Sequence, residues 1–140
     1  MDIRRITPSY SVSEQLIPTD FESVAEAGYV AVICNRPDEE IPASLQSEQM
    51  RAHAETAGLA FHVLPLTHQT FTPENLQRQR AFMDEAGGPV LAYCASGTRC
   101  AIAWALTEAG QRDRDDILAA TAAAGYNLSH LAPMIDALSD

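Results

Sequence analysis

Lysine is absent from this chain of 140 residues, and all nine basic residues are arginines. The absence excludes Schiff-base chemistry on a lysine amine and the glycine-rich nucleotide-binding loop that ends in lysine. Nineteen acidic residues give a formal net charge of -10, and such a surface repels nucleic acid and anionic membranes. We therefore expect no nucleic-acid or membrane partner, and any anionic ligand must be captured by a local site.

Long apolar runs are also missing. No stretch approaches the roughly 20 apolar residues of a membrane helix, and residues 1–5 lack the apolar run of a secretory signal. The three cysteines, Cys34, Cys94 and Cys100, are odd in number and unevenly spaced, unlike a secreted disulfide framework. These features predict a cytoplasmic protein with reduced thiols, and the hydrophobic content of 46% predicts one domain over residues 1–140.

Apolar strand-like runs alternate with helix-like segments along the chain. This order is typical of an α/β domain with a mostly parallel central sheet flanked by helices. The pattern predicts strands at 29–34, 60–65 and 90–93. It predicts helices from a capping box of Thr19 and Glu22 to Gly28, and at 47–57, 72–86, 99–109, 115–124 and 129–138. The helix at 99–109 is apolar nearly all round, which predicts that it is buried against the sheet.

The segment Cys94-Ala95-Ser96-Gly97-Thr98-Arg99 lies between a predicted central strand and this helix. Such a loop directs several backbone N–H groups at one point, so Ala95, Ser96, Gly97 and Thr98 are predicted to cradle an anion. Gly97 allows the close backbone approach, and Arg99 supplies a two-pronged donor. The same donors would stabilise a thiolate on Cys94, the nucleophilic form of cysteine. The alternative is a buried core cysteine beside an ordinary helix-start arginine.

Five short segments carry a resemblance to a known family. They are Ser11-Val12-Ser13, Asn35-Arg36-Pro37-Asp38, Leu91-Ala92-Tyr93-Cys94, Ser96-Gly97-Thr98-Arg99 and Ala124-Gly125-Tyr126. Over nearly the whole chain they resemble the beta-lactamase-hydrolase-like phosphatase domain family, which is also described as sulfur transferases. The resemblance implies a fold similar to that of dual-specificity protein phosphatases, with Cys94 as the nucleophile and Arg99 as the oxyanion binder.

Two positions depart from the pattern of that family. Ala95 stands where the family often has arginine, and Cys100 stands where it usually has serine. Cys100 lies in the first helical turn, so its thiol could face Cys94 and either accept sulfur or close a disulfide. The alternative for Cys100 is a small buried residue on an apolar helix.

The length of the loop separates two chemistries. Four residues lie between Cys94 and Arg99, as in the sulfur-transferring rhodaneses, whereas the loop of tyrosine-phosphatase-like enzymes is one residue longer. A phosphoryl group needs three equatorial oxygens held, whereas a persulfide sulfur needs only a small anion-stabilising site. The shorter loop therefore favours the transfer of sulfane sulfur over the transfer of a phosphoryl group.

A phosphatase also needs a general acid for the leaving oxygen. The segment 65–69 has no aspartate, and His68 is its candidate acid, although an ordinary surface histidine is the commoner case. Asp38 is a comparable candidate in the turn after a central strand. Arg36 either binds the anion or pairs with an acidic residue at 38–40.

Other residues are predicted to be structural. Cys34 and Trp104 belong to the core by their position in apolar segments. His53, His62 and His130 show no metal-ligand spacing with one another or with the cysteines, so neither a metal site nor a cofactor is predicted.

The sequence thus leaves three hypotheses. The preferred one is a rhodanese-type sulfurtransferase that carries sulfane sulfur as a Cys94 persulfide, with a small anionic sulfur donor and an acceptor thiol as its partners. The alternative is a protein-tyrosine or dual-specificity-phosphatase-like hydrolase that acts on a phosphate ester through a phosphocysteine. The third is a non-enzymatic thiol redox or anion-binding module.

Overall fold

A computed structural model describes residues 1–140 and contains a five-stranded sheet. The strands are β1 (Arg4–Thr7), β2 (Tyr10–Ser13), β3 (Ala31–Cys34), β4 (Ala60–Val63) and β5 (Val90–Tyr93). Their order across the sheet is β1-β2-β5-β3-β4, in which β1 is antiparallel to β2 and the other neighbours are parallel. The predicted α/β class and mostly parallel sheet are therefore confirmed.

Six α-helices cover the two faces of the sheet. They are α1 (Asp20–Glu26), α2 (Ser47–Thr56), α3 (Pro73–Glu85), α4 (Thr98–Thr107), α5 (Arg114–Ala123) and α6 (Ala132–Leu138). Short 3-10 turns occupy residues 38–40, 43–45 and 129–131. No helix is both long and apolar enough to cross a bilayer.

The hydrophobic core consists of two main clusters, one on each face of the sheet. Alternate residues of β5 point to opposite faces: Val90 and Ala92 belong to the cluster of α4, whereas Leu91 and Tyr93 belong to the cluster of α1 and α2. Cys94 continues the alternation and lies on the α4 side. The Cys94 sulfur thus packs in the same cluster as α4, the most apolar helix of the chain.

Several helix predictions agree with the structure. The Thr72 side chain accepts a hydrogen bond from the N–H of Asn75, with Pro73 in the first turn of α3. All seven residues of α4 from Cys100 to Leu106 are buried, which confirms that this helix lies inside the molecule. Cys34 and Trp104 are core residues as predicted.

Other predictions need correction. The Thr19 capping box is wrong, because Thr19 has helical dihedrals and no capping hydrogen bond. The Asp20 carboxylate instead accepts from the N–H of Ile17 and shapes the turn before α1. The segment predicted as a helix from Ser129 begins as a 3-10 turn, and the α-helix starts only at Ala132.

Candidate active site

The loop from Cys94 to Arg99 lies where β5 ends and α4 begins. Gly97 is the N-cap of α4 and has a φ of 90°, in the left-handed region that glycine adopts without a steric penalty. A Cβ at this position would also overlap the hydroxyl of Tyr126. The site thus sits at the carboxyl edge of a parallel sheet, the usual ligand-binding edge of such folds.

Cys94 is fully buried beneath this loop, yet its surroundings favour the thiolate. The N–H of Gly97 donates a hydrogen bond to Sγ at 3.2 Å. The Cys100 thiol and the N–H groups of Cys100, Gly97 and Arg99 lower the pKa of Cys94 to about 5, against the opposing effect of burial. With a pKa of about 5, Cys94 is a thiolate at neutral pH.

Cys100 is the largest contributor to this effect. Its side chain is completely buried, and hydrogen bonding from it to the Cys94 sulfur is the first cause of the lowered pKa of Cys94. Burial raises the pKa of Cys100 well above its ordinary value, and the adjacent Cys94 thiolate adds to this rise. The pair thus consists of one thiolate and one thiol, and the thiol serves as hydrogen-bond donor.

Arg99 is held by a carboxylate that the sequence analysis did not connect with it. Its Nη1 and Nη2 donate to the two carboxylate oxygens of Glu40, each at 2.8 Å, and Nη1 also donates to the carbonyl of Leu66 at 2.9 Å. Glu40 raises the pKa of Arg99, and Arg99 in turn lowers the pKa of Glu40. The fork geometry fixes the plane of the guanidinium group.

Glu40 and Leu66 leave two N–H groups of Arg99 available. A guanidinium has five donors, and these two partners use three of them. The remaining donors are the Nε–H and one Nη2–H, which lie on the same edge and match two oxygens of an anion. The Arg99 side chain also hydrogen-bonds to Cys94, which adds to the raised pKa of Arg99. The thiolate and the edge of Arg99 that Glu40 and Leu66 leave available are therefore neighbours.

The loop residues Ala95, Ser96 and Thr98 form the outer part of the predicted cradle. Ala95 and Ser96 are exposed, whereas Thr98 is half-buried at the start of α4. The hydroxyls of Ser96 and Thr98 are 2.9 Å apart, and the N–H of Thr98 donates to the Ser96 hydroxyl. These contacts close the loop over the sulfur from the solvent side.

Arg36 and Asp38 lie near the site but are engaged in other contacts. Arg36 pairs with Glu40 at 3.2 Å and also donates to Gln15, which agrees with the ion pair predicted as its alternative. Both carboxylate oxygens of Asp38 accept hydrogen bonds from Ser47, at the start of α2. Asp38 therefore stabilises a helix start, and Arg36 helps to hold Glu40.

His68 is exposed on the loop that follows β4. Two residues earlier, the Leu66 carbonyl binds Arg99, so this loop runs beside the Cys94 cradle. His68 also lines a cavity that Thr98 borders. Of the proposed acids, His68 is thus the one that shares a surface with the loop.

Tyr126 is a further residue of the site that sequence reasoning did not assign. Its hydroxyl donates to the carbonyl of Ser96 at 3.1 Å, and Arg4 lies over its ring at 5.8 Å. Arg4 also donates to the carbonyl of Ala124, so strand β1 holds the segment that braces the loop. The segment Ala124-Gly125-Tyr126 was available in the sequence, but only its resemblance to the family singled it out.

A buried chain of polar groups supports the site from below. Asn35 and Gln79 exchange two amide hydrogen bonds, Gln79 donates to the Tyr10 hydroxyl, and that hydroxyl donates to the carbonyl of Cys100. All four residues are fully buried, and the other donor of Asn35 reaches the carbonyl of Leu64. The chain connects β3, α3 and β2 to the first turn of α4.

The likeness to known proteins extends over most of the chain. A beta-lactamase hydrolase-like protein of Agrobacterium fabrum is 33% identical over 115 residues, which are 81% of this chain and 27% of that protein. The chain spans less than a third of the length of the curated relatives it matches. This chain is therefore related to one part of each of those proteins.

Solved phosphatase structures share the fold. A candidate phosphatase from Neisseria meningitidis Z2491 is 33% identical, with a TM-score of 0.87 and coverage of 99% of each chain. TpbA of P. aeruginosa, solved in complex with phosphotyrosine, has a TM-score of 0.66 at 18% identity and covers 98% of this chain and 87% of its own. The predicted phosphatase-like fold is therefore confirmed.

Residues 2–111 match the family described as "Beta-lactamase hydrolase-like protein, phosphatase-like domain". This range contains every element of the sheet, the Cys94 loop and Glu40. The chain belongs to this family of phosphatase-like domains.

Proposed function

We propose that this protein hydrolyses a phosphate ester through a phosphocysteine on Cys94. The observation that carries the proposal is the thiolate beneath a backbone anion cradle, beside the Nε and Nη2 donors of Arg99 that Glu40 and Leu66 leave available. Phosphatase-like relatives support the same chemistry, and one neighbour of the fold was solved with phosphotyrosine. This proposal replaces sulfur transfer as the preferred function.

The first step transfers the phosphoryl group from the ester to the sulfur. The Cys94 thiolate attacks phosphorus, the bond from phosphorus to the ester oxygen breaks, and the leaving oxygen takes a proton. Loop N–H groups and Arg99 hold the equatorial oxygens, whose charge they stabilise. We assign the proton donor to His68 as its imidazolium, because this residue is exposed on the loop beside the cradle.

The second step regenerates the enzyme. A water molecule attacks phosphorus, the bond between sulfur and phosphorus breaks, and inorganic phosphate and the thiolate result. His68, now neutral, accepts the proton of the water. The low pKa of Cys94 makes the thiolate a stable leaving group in this step.

Transfer of sulfane sulfur is the second candidate. The specific observations that favour it are the four-residue spacing from Cys94 to Arg99 and the thiol of Cys100 against the nucleophile. With thiosulfate, the thiolate would attack the outer sulfur, the bond between the two sulfur atoms would break, and sulfite would leave without a general acid. An acceptor thiolate would then remove the sulfur from the Cys94 persulfide.

Intact mass spectrometry separates the two candidates. Reduced protein is mixed with phenyl phosphate or with thiosulfate, quenched in acid within the first turnover, and weighed. We expect one phosphoryl group on the wild type and on Cys34→Ser, and none on Cys94→Ser. Cys34→Ser is the matched control, because Cys34 is also buried but belongs to the opposite core cluster. Gain of one sulfur atom from thiosulfate, without phosphoryl gain, would overturn the proposal in favour of sulfur transfer.

A further inference from the structure

A cavity of about 520 Å³, with hydrophobic residues as half of its lining, lies beside the Cys94 loop. Its walls come from the loop after β4, one face of α4, and the segment from Gly125 to Met134. The apolar lining residues are Phe71, Ile102, Leu106, Leu128, Leu131 and Met134. This volume falls in the range of roughly 300 to 1,000 Å³ that is usual for small-molecule sites.

The cavity borders the proposed catalytic loop at Thr98. Thr98 opens α4 within the loop and also lines the cavity, and Ile102 and Leu106 follow at intervals of four residues on the same helix face. Tyr126, whose hydroxyl binds the loop at the Ser96 carbonyl, lines it from the other side. An ester held at Cys94 would therefore have its leaving group beside this cavity.

The lining carries no aspartate, glutamate or arginine among its 14 residues. One residue in five of the whole chain is charged, so this absence distinguishes the cavity from the rest of the surface. The polar residues of the lining are His68, Gln69, Thr72, Thr98, Asn127 and His130, and the Tyr126 hydroxyl lies against the loop. An uncharged, apolar group fits this lining, whereas a charged one would lose its solvation without a partner.

We propose that this cavity binds the leaving group of a small-molecule phosphate ester, and that this leaving group is uncharged and apolar. The inference rests on the proposed function, since it assigns the substrate class of that same site. His68, the proposed proton donor, also lines the cavity.

The test compares two exposed apolar residues of α6. Met134 lines the cavity and is 42% exposed, whereas Leu138 is 39% exposed and lies outside it. The variants Met134→Glu and Leu138→Glu are assayed with 1-naphthyl phosphate, and the binding of 2-naphthol is measured separately by calorimetry. Met134→Glu should raise KM for 1-naphthyl phosphate and weaken 2-naphthol binding by about tenfold, because it places a carboxylate at an apolar wall. Leu138→Glu should change neither.

Two readouts separate the cavity from the chemistry. The inhibition constant of inorganic phosphate should be the same in both variants and the wild type, since phosphate contacts the loop alone. If the wild type binds 2-naphthol and Met134→Glu weakens that binding, but the wild type does not turn over the ester, the cavity is supported as a binding site and the proposed hydrolysis is overturned. Turnover with equal kinetics in both variants, or no 2-naphthol binding, would overturn the cavity and leave the hydrolysis standing. Preference for a phosphotyrosine peptide over 1-naphthyl phosphate would overturn the small-molecule class.

Discussion

At the scale of single residues, the Cys94 sulfur is subject to two opposing effects. Full burial favours the neutral thiol, whereas the Cys100 thiol and three backbone N–H groups favour the thiolate. The donors prevail, and the pKa falls to about 5. Cys94 therefore needs no neighbouring base to become a nucleophile, which explains why no histidine is required at hydrogen-bond distance from it.

Replacing Arg99 tests the role of the guanidinium fork. Arg99→Lys should lower kcat/KM for phosphate esters by about ten- to a hundredfold, because a point charge cannot bind both Glu40 and a two-oxygen face of the substrate. Arg114→Lys is the matched control, since Arg114 forms exposed ion pairs on α5 with Asp115 and Asp136. Steady-state kinetics of both variants provide the measurement, and equal loss in the two would contradict a role for Arg99 in the site.

The substitution Cys100→Ser distinguishes the three chemistries. A serine hydroxyl still donates to the thiolate, so ester hydrolysis should persist within a few-fold of wild type, while inactivation by hydrogen peroxide should slow. Hydrolysis rates before and after peroxide treatment give this comparison. The physical reason is that Cys100 no longer offers a second sulfur to an oxidised Cys94.

Other results with Cys100→Ser would point elsewhere. Normal sulfur loading from thiosulfate with altered release to an acceptor thiol would indicate sulfur transfer with Cys100 as a relay. Loss of an intramolecular disulfide, with no turnover in either protein, would indicate the redox module. Complete loss of ester hydrolysis would contradict the view that Cys100 acts only as a hydrogen-bond donor.

At the scale of secondary-structure elements, the loop depends on a brace from distant parts of the chain. Tyr126 follows α5 and holds the Ser96 carbonyl, while Arg4 of β1 lies over the Tyr126 ring. The close approach of the Tyr126 hydroxyl to Gly97 means that loop and brace are packed without a gap. The shape of the anion cradle is therefore set by three separate elements.

Removing the brace should loosen the loop. Tyr126→Phe deletes one hydrogen bond to a solvent-exposed carbonyl, which costs about 1 kcal/mol of stability and lowers kcat two- to tenfold by about the same free energy. Tyr29→Phe is the control, because the Tyr29 hydroxyl donates to Ser11 at 2.8 Å away from the loop. Thermal unfolding and kinetics together provide the readout. If both variants lose stability equally and neither loses activity, the brace does not govern the loop.

Only some elements of the fold have local signals in the sequence. The β5 segment, α4 and the Cys94 loop were predictable because apolar runs and a glycine are local signals. Strands β1 and β2 were not predicted. The first two residues of β1 are exposed at the sheet edge, and two of the four residues of β2 are buried serines, which do not form an apolar run. Thr19 matched the capping-box pattern but makes no capping hydrogen bond, and the Asp20 carboxylate accepts a hydrogen bond from the N–H of Ile17 instead.

Glu40 shows why part of the site could not be predicted. The sequence placed it near Arg36, and that pairing is present, but its stronger contact is with Arg99, fifty-nine residues away. Glu40 follows β3 and Arg99 follows β5, and these two strands are direct neighbours in the sheet. Local sequence patterns predict the strands but do not show which of them are neighbours.

At the scale of the whole molecule, ionisation of Cys94 couples the site to folding. The pKa is about 5 in the native state against an ordinary value of 9.0, so the unfolded chain binds more protons between these values. The contribution to stability is thus fully present above about pH 9 and lost as the pH falls through 5. The advantage of the wild type over Cys94→Ser in free energy of unfolding should therefore increase from pH 5 to pH 9.

Urea unfolding of both proteins across this pH range provides the measurement. The ultraviolet absorbance of the thiolate gives a second one: the native wild type should lose one thiolate signal with a midpoint near 5. Cys34 and Cys100 have raised pKa values and should contribute nothing at neutral pH. A midpoint near the ordinary cysteine value would contradict the proposed donors around Cys94.

The buried polar chain from Asn35 through Gln79 and Tyr10 to the Cys100 carbonyl has a consequence for how this fold can change. Each member is fully buried and hydrogen-bonded to the next. Removing one leaves its neighbour without a hydrogen-bond partner, at a cost of about 1 to 3 kcal/mol of stability. Replacing Gln79 together with Asn35 by apolar residues of similar shape leaves fewer buried polar groups without a partner than replacing either alone. The three positions are thus epistatic: an apolar interior at this place requires that they change jointly, because each single substitution passes through a less stable protein.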